Sequence, residues 1–114
     1  MRRIEQVNDL IRQELGAIIK RDIEIPVETL VTVTHVETSH DLHYADIYLS
    51  VMPEGDEEAT LAVFEKVIGE TQRTLNLRLR MRPVPRIKFV IDRDEKKRER
   101  IERLLSRERL KAEE

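Results

Sequence analysis

Cysteine is absent from this chain of 114 residues. Its absence excludes disulfide scaffolds, thiolate metal sites and cysteine nucleophiles. Glycine is scarce, and Gly16, Gly55 and Gly69 are spaced too widely to form a phosphate-binding loop. None of the serines occurs in a Gly-x-Ser-x-Gly sequence, which disfavours a serine nucleophile as well. The sequence thus contains no pattern typical of nucleophilic catalysis.

Long apolar runs are also missing. No stretch approaches the roughly 20 apolar residues that a membrane-spanning helix needs. The first twenty residues lack the continuous apolar run of a signal peptide. We therefore expect a cytoplasmic protein that does not associate with membranes.

The composition is typical of one small domain with a charged extension. Apolar residues make up 39% of the chain, which is enough for one modest core. Charged residues also make up 39%, well above the usual quarter, and much of the excess lies in the last twenty residues. We predict one domain over residues 1–92 and a charged, partly helical tail over residues 93–114.

Opposite charges are separated along the chain. Residues 28–69 contain nine acidic residues and one basic residue, whereas residues 70–93 carry a net charge of +5. Cations concentrated in one element indicate a site for a polyanion. The alternative is a solvated helix face with a few ion pairs. The basic residues of the second window are Arg73, Arg78, Arg80, Arg82, Arg86, Lys88 and Arg93.

Hydrophobic periodicity predicts the first three elements. Apolar residues recur at three- and four-residue steps over 2–21, which predicts an amphipathic helix. Residues 29–37 and 44–51 alternate apolar with polar side chains, which predicts two strands. Because the two strands are close in sequence, we expect an antiparallel hairpin with one buried face.

The second half of the domain is predicted to be a helical region followed by a strand. A helix begins near Asp56, and Gly69 is expected to mark a kink in it. Pro83 and Pro85 end the helical region, and residues 86–91 alternate as a third strand. Asp92 and Glu95 resemble a capping box that would start a tail helix.

The predicted order α-β-β-α-α-β is that of the type II KH domain, an α+β RNA-binding fold with a three-stranded sheet. The local sequence is more similar still to the ribosome-binding factor A family. The similar residues are 3–11 (RIEQVNDLI) and 14–15 in the first helix, Val36, Ser39, 41–42 and 45–50 (ADIYLS) in the hairpin, and 77–80 (LRLR), 85–89 (PRIKF), Asp92, Ile101, Leu104 and Leu105 beyond it. The resemblance covers essentially residues 2–106.

The resemblance implies a function. Members of this family bind the small (30S) ribosomal subunit late in its assembly and assist maturation of 16S ribosomal RNA near its ends. They matter most in the cold and leave before translation begins. The implied protein is an assembly chaperone rather than an enzyme, needs no cofactor, and has other assembly factors as candidate partners. We expect it to be a monomer.

The turn between the two later helices departs from ordinary KH domains, which hold the nucleic-acid backbone with a Gly-x-x-Gly loop. This chain has a single glycine there, and Glu70 would repel phosphate. The family resembled has a helix-kink-helix instead, usually with a small residue where this chain has Val67. We therefore assign the kink to Val67, Ile68 and Gly69, and place the RNA contact beyond it.

The predicted RNA site uses the basic residues that follow the kink. Helical spacing places Arg73, Asn76 and Arg80 on one face. Guanidinium groups suit this role because their planar fork meets phosphate oxygens with two hydrogen bonds. The full predicted set is Arg73, Asn76, Arg78, Arg80, Arg82, Arg86 and Lys88. Arg2, Arg3 and Arg12 are candidates for a second contact or simply solvated helix charges.

Three alternatives remain. His35, His40, Asp41, His43 and Asp46 could hold a metal ion, although Asp41 is more simply explained as a turn cap. A protein-interaction module could use the acidic segment 54–58 or the charged tail. A general KH-type protein with messenger RNA targets is the third.

Tyr44 and Tyr48 could stack on bases, but packing is the commoner role of such residues.

Overall fold

The structure, a computed structural model, describes residues 2–93. Three helices and three strands follow the predicted order: α1 (Arg3–Asp22), β1 (Leu30–Thr38), β2 (Tyr44–Met52), α2 (Glu57–Lys66), α3 (Ile68–Arg78) and β3 (Arg86–Ile91). A short 3-10 turn, Glu54–Asp56, precedes α2. The predicted tail helix, with its capping residue Glu95 and its apolar residues Ile101, Leu104 and Leu105, lies outside the described residues.

The sheet has the strand order β1-β2-β3. β1 and β2 are antiparallel, with Val36 opposite Ile47, so the predicted hairpin is confirmed. β3 returns parallel to β2, with Phe89 opposite Ile47. A parallel neighbour requires a crossover of a dozen or more residues, and α2 and α3 supply it.

A β-bulge at Thr34 interrupts the hairpin register. Val33 lies opposite Leu49, but His35 lies opposite Tyr48, so Thr34 is the extra residue. The insertion reverses which residues of β1 face the helices, because side chains in a strand alternate between faces. Val33 before the bulge and Val36 after it therefore both contact the core.

The helices cover one face of the sheet and enclose the core. α1 contributes Val7, Ile11, Leu15, Ile18 and Ile19, as its periodicity predicted. On β3, Ile87, Phe89 and Ile91 are buried while Arg86 and Lys88 are exposed, which confirms the predicted alternation. Within residues 2–93, no helix is long and apolar enough to cross a membrane.

The break between α2 and α3 is centred on Val67 rather than on Gly69. Val67 leaves helical geometry at φ −103° and ψ 8°, and Ile68 and Gly69 already belong to α3. The Val67 side chain packs against the core, and its carbonyl accepts hydrogen bonds from both the N–H and the hydroxyl of Thr71. Packing of Val67, and not glycine flexibility, therefore defines the break.

α3 ends earlier than the sequence predicted. Arg78 is its last residue, and Leu79 is extended at φ −85° and ψ 134°. Leu79 is buried in the core, and its N–H still bonds the Leu75 carbonyl. The prediction that Arg73, Asn76 and Arg80 share one helical face is therefore wrong for Arg80, which lies in the loop beyond the helix.

Candidate nucleic-acid interface

A groove lies where the C-terminal half of α3 meets the loop that leads to β3. Leu77, Pro83 and Val84 form its apolar walls, and Leu77 is 86% exposed. Polar groups come from three residues of the predicted RNA site, Arg73, Asn76 and Arg82. The structure thus brings these three predicted residues together around an exposed apolar surface.

Gln72 joins α3 to the start of β3 beside this groove. Its Oε1 accepts a hydrogen bond of 2.8 Å from the Ile87 N–H. Its Nε2 donates to the Pro85 carbonyl and to Asn76 Oδ1, both at 3.0 Å. Because a backbone N–H can only donate, these bonds fix the orientation of the Gln72 amide and then that of Asn76. The Asn76 oxygen is therefore engaged, and its NH₂ group is left for other acceptors.

Arg82 is anchored to the end of α3. Its Nη1 donates to the Met81 carbonyl at 2.7 Å and lies 3.3 Å and 3.4 Å from the carbonyls of Leu79 and Asn76. The last carbonyls of a helix lack partners within the helix and favour a nearby cation. Arg82 therefore has a structural role in closing α3, in addition to its place at the groove.

Arg73 and Arg80 differ from Arg82 in being unrestrained. Both are exposed, and within residues 2–93 no hydrogen bond or ion pair holds either guanidinium group. Their charges are thus available to an anion from solvent. Arg73 lies on α3 at the groove, whereas Arg80 lies in the following loop.

Arg78 faces a different neighbour. Its Nη1 lies 3.7 Å from Oε2 of Glu14 on α1. The arginine side chain is 43% exposed, so solvent screens the pair and its contribution to stability is small, at most about 1 kcal/mol. The carboxylate also lowers the positive potential at this end of the predicted site.

Arg86 and Lys88 lie on the other face of the sheet. Arg86 is opposite Tyr44 in the β2–β3 register, and Lys88 is opposite Asp46. Both basic side chains are exposed, and Tyr44 is exposed beside them. The predicted RNA-binding residues are therefore divided between the α3 side and the outer face of β3.

The outer sheet face also holds a polar cluster that the sequence did not reveal. The rings of His35 and Tyr48 stack with centroids 4.0 Å apart. Carboxylates flank the histidine, with Glu37 3.5 Å from Nε2 and Asp92 3.6 Å from Nδ1. Burial first, and then the Glu37 carboxylate, raises the pKa of Tyr48 above its ordinary value. The bulge at Thr34 creates this pairing, so strand alternation alone could not have predicted it.

The hairpin turn is explained by Asp41. Its Oδ1 accepts hydrogen bonds from the Ser39 hydroxyl at 2.6 Å and from the His43 N–H at 3.0 Å. The Ser39 bond first, and then the His43 bond, lowers the pKa of Asp41. This is the turn-capping role that the sequence suggested. Among residues 2–93, no three His, Asp or Glu side chains are grouped as a metal site.

The candidates for a second contact lie on α1 or directly before it. Arg2, Arg3 and Arg12 are all exposed. Arg12 shares a shallow depression with the acidic residues Glu5 and Asp9. The mixture of signs makes this surface a weaker attraction for phosphate than the groove on α3.

A second groove has the opposite charge. It lies over Phe64 between the α1–β1 loop and α2, and Glu24, Glu28 and Asp56 line it. The Thr29 hydroxyl donates to Asp56 Oδ2 at 2.8 Å and links the two sides. Carboxylates repel an RNA backbone, so this groove is not part of a nucleic-acid site.

Comparisons with known proteins agree with this architecture. The family model described as ribosome-binding factor A matches residues 3–105. A protein of that name from Nitrosococcus oceani is 36% identical over 91 residues, covering 79% of this chain and 72% of the relative. The crystal structure of ribosome-binding factor A from Thermus thermophilus is 27% identical, with a TM-score of 0.60, and the match covers 80% of this chain and 92% of that one.

A further similar structure records a complex. It is a homology model of the Thermus thermophilus factor fitted into a cryo-EM map of a complex with the 30S subunit. It is 28% identical to this chain, with a TM-score of 0.59. The match covers 78% of this chain and 90% of that one.

Proposed function

The chain belongs to the ribosome-binding factor A family, and on that premise we propose that it binds the small (30S) ribosomal subunit during its assembly. The observation that carries the proposal is its similarity to the Thermus thermophilus factor fitted into the map of a 30S complex. The ligand on the subunit is 16S ribosomal RNA, and the role is to assist late maturation and processing of that RNA in the cytoplasm, most of all in the cold. The protein acts by binding and performs no chemistry.

The groove beside α3 supports the RNA part of this proposal. At the groove, Arg73 presents an unrestrained guanidinium group and Arg82 an anchored one, and Arg80 adds a second unrestrained group in the following loop. Each guanidinium that neutralises a phosphate releases counterions from the RNA, so binding weakens steeply as salt rises. Few aromatic side chains are present, so recognition relies mainly on the backbone and shape of the RNA.

The two groups of basic residues can act on one RNA strand. β3 is an edge of the sheet in the described part of the chain, and Gln72 bonds α3 to Pro85, just before β3, and to Ile87 within it. Arg73 on α3 and Arg86 on the outer face of β3 therefore border the same edge of the domain. A strand of RNA that follows this edge contacts both groups, with Lys88 one step further along β3.

Co-sedimentation with purified 30S and 50S subunits over a series of salt concentrations tests the proposal. We expect the protein to pellet with the 30S subunit alone and to be released as salt rises. Absence of the protein from both pellets would contradict the proposed function. Pelleting that is insensitive to salt would favour the protein-interaction alternative over the arginine site.

A further inference from the structure

We propose that the groove between α3 and the loop leading to β3 binds a single unpaired nucleobase of RNA, with its phosphate held by the arginines at the rim. The groove is lined by Arg73, Asn76, Leu77, Arg82, Pro83 and Val84. This inference rests on the proposed function, and it adds a base-binding role to a surface that was otherwise expected to contact only the backbone.

The first argument is the shape and chemistry of the walls. The groove has a volume of about 560 Å³, within the range of roughly 300–1,000 Å³ that is usual for sites of small organic ligands. Leu77, Pro83 and Val84 offer apolar surface to the faces of a flat ring. Proteins that bind bases swung out of a helix hold them between aromatic or apolar side chains. The exposure of Leu77 in a strongly basic region therefore has an explanation.

The second argument is the donor at Asn76. Gln72 engages the Asn76 oxygen, which fixes the amide orientation and leaves the NH₂ group as a donor for the groove. Every nucleobase carries carbonyl oxygens or ring nitrogens that accept such a bond. Because Gln72 is itself held by Ile87 and Pro85, Asn76 is oriented before any ligand arrives. Such preorganisation lowers the entropy lost on binding.

The third argument is the position of the cations. Arg82 uses Nη1 for the end of α3, which leaves its Nε and Nη2 edge to donate to phosphate oxygens. Arg73 lies at the same groove and is unrestrained. A nucleotide joins a flat ring to an anion, so the apolar walls and the basic rim match its two parts.

The polar side chains of the groove also disfavour a basic peptide as the ligand. All three of them act as hydrogen-bond donors here, and the lining includes no carboxylate. A basic peptide would be repelled by Arg73 and Arg82. The combination of donors with flat apolar walls suits a base and a phosphate, which present acceptors and a ring.

Photocrosslinking tests what occupies the groove. The photoreactive residue p-benzoylphenylalanine is placed at Leu77 in the full-length protein. The matched control carries it at Val27, which is fully exposed and lies between Glu24 and Glu28 of the acidic groove. On 30S subunits we expect the Leu77 position to crosslink to one unpaired nucleotide of the RNA, mapped as a stop of reverse transcription, and the Val27 position not to do so. Crosslinking of the Leu77 position to a ribosomal protein or to a base-paired segment would overturn the proposal.

Affinity measurements separate the base contact from general charge effects. We expect Asn76→Ala and Leu77→Ala each to weaken 30S binding by about tenfold, because loss of one hydrogen bond or of one packed apolar side chain costs on that order. Neither substitution changes the net charge. Val27→Ala is the control for loss of an exposed apolar side chain and should bind as the wild type does. Wild-type affinity of both groove variants would overturn the proposal.

The outcomes distinguish this inference from the function on which it rests. Loss of binding in a charge-reversed protein, together with unchanged binding of the groove variants, would leave the proposed function intact and overturn the base site. If the wild type fails to bind the 30S subunit, the proposed function fails. The groove is then tested with a single-stranded RNA oligomer and an abasic oligomer of the same length. Equal affinity for the two would overturn the base site as well.

Discussion

Phe64 of α2 and Phe89 of β3 meet edge to face, with ring centroids 5.1 Å apart and planes at 89°. Both side chains are buried, so the pair joins the crossover helices to the strand they deliver. Edge-to-face pairs add about 0.5–1.5 kcal/mol to what burial alone contributes. The contact fixes the position of β3, and hence of the groove, relative to α2.

Truncating Phe89 should therefore destabilise the domain severely. We expect Phe89→Ala to lower the free energy of unfolding by about 3–5 kcal/mol, because it removes buried contacts and leaves a cavity. Denaturant unfolding followed by circular dichroism measures the change. Lys88→Ala, on the exposed face of the same strand, is the control and should be nearly neutral. A near-neutral Phe89→Ala would mean that the ring is not part of the core.

Charge reversal on the basic surface should weaken 30S binding without unfolding the protein. We expect replacement of Arg73, Arg78 and Arg80 by Glu to weaken binding strongly and to lower the salt slope by about one unit for each phosphate that is no longer neutralised. Thermal stability should remain near that of the wild type, because all three side chains are exposed. Co-sedimentation and thermal melting are the measurements.

A control with the same change in net charge decides whether the location matters. Lys20, Arg21 and Lys66 are exposed and lie outside the groove. Replacing these three by Glu should weaken binding far less than the reversal at Arg73, Arg78 and Arg80. Equal losses would show that net charge alone governs binding, and the assignment of the site would fail.

Thr34 should stabilise the fold through its bond to Asp92. Its hydroxyl donates to Asp92 Oδ2 at 2.6 Å and joins the bulge in β1 to the end of β3. Asp92 is buried, and bonds to charged groups contribute about 1.5–3 kcal/mol. We expect Thr34→Val to lower the free energy of unfolding by about 1.5–2 kcal/mol, the lower part of that range, because Thr34 is only partly buried. Thr32, at another position in the same strand, forms no such bond within residues 2–93, so Thr32→Val should cost much less.

The hairpin turn should show a defined pH dependence. Hydrogen bonds from Ser39 and His43 lower the pKa of Asp41 in the folded protein. A lowered pKa means that the ionised form favours folding above the ordinary carboxyl range and that this contribution disappears as pH falls below it. Carbon-13 NMR titration should show the pKa of Asp41 rising towards its ordinary value in Ser39→Ala. An unchanged titration would show that the serine hydroxyl does not govern the carboxylate.

Gly69→Ala should make the protein more stable. Gly69 lies within α3 without a positive φ, and a Cβ added there would meet no atom within 4 Å. Alanine is favoured over glycine in a helix interior by about 1 kcal/mol, and Gly69 is the second residue of α3, where the preference is smaller. We expect a gain of about 0.5–1 kcal/mol in the free energy of unfolding. Gly16→Ala in α1, which is equally open, is the parallel case. A loss of stability at Gly69 would show that the turn needs glycine.

The sequence was sufficient to predict an element and its buried face where a periodicity spans the whole element. The alternation of Ile87, Phe89 and Ile91 with basic residues predicted β3 and its buried face. The sequence was insufficient where a single residue changes the backbone geometry of an element. Leu79 follows Leu75 at helical spacing, so the pattern cannot distinguish another helical turn from the extended, buried residue that ends α3. Thr34 likewise looks like any outward residue of a strand, although it is the bulge.

The candidate site was likewise predictable from the sequence in one respect and not in another. Composition located the basic segment, because charge needs no folding to be counted. The grouping of Arg73, Asn76 and Arg82 at one groove depends on the early end of α3. The bonds of Gln72 to Ile87 and Pro85 connect parts of the chain that no local pattern relates. Long-range contacts of this kind set the chemistry of the groove and lie beyond single-sequence inference.

The bond from the Ile87 N–H to Gln72 has a consequence for self-association. An exposed edge strand offers unpaired backbone groups to which another chain can add, and proteins guard against this with charges, prolines and covering side chains. Gln72 occupies one donor of β3, Pro85 stands just before the strand, and Lys88 places a charge upon it. Gln72, which orients Asn76 at the groove, thus also helps to protect the edge of the sheet against aggregation when the protein is free of its ligand.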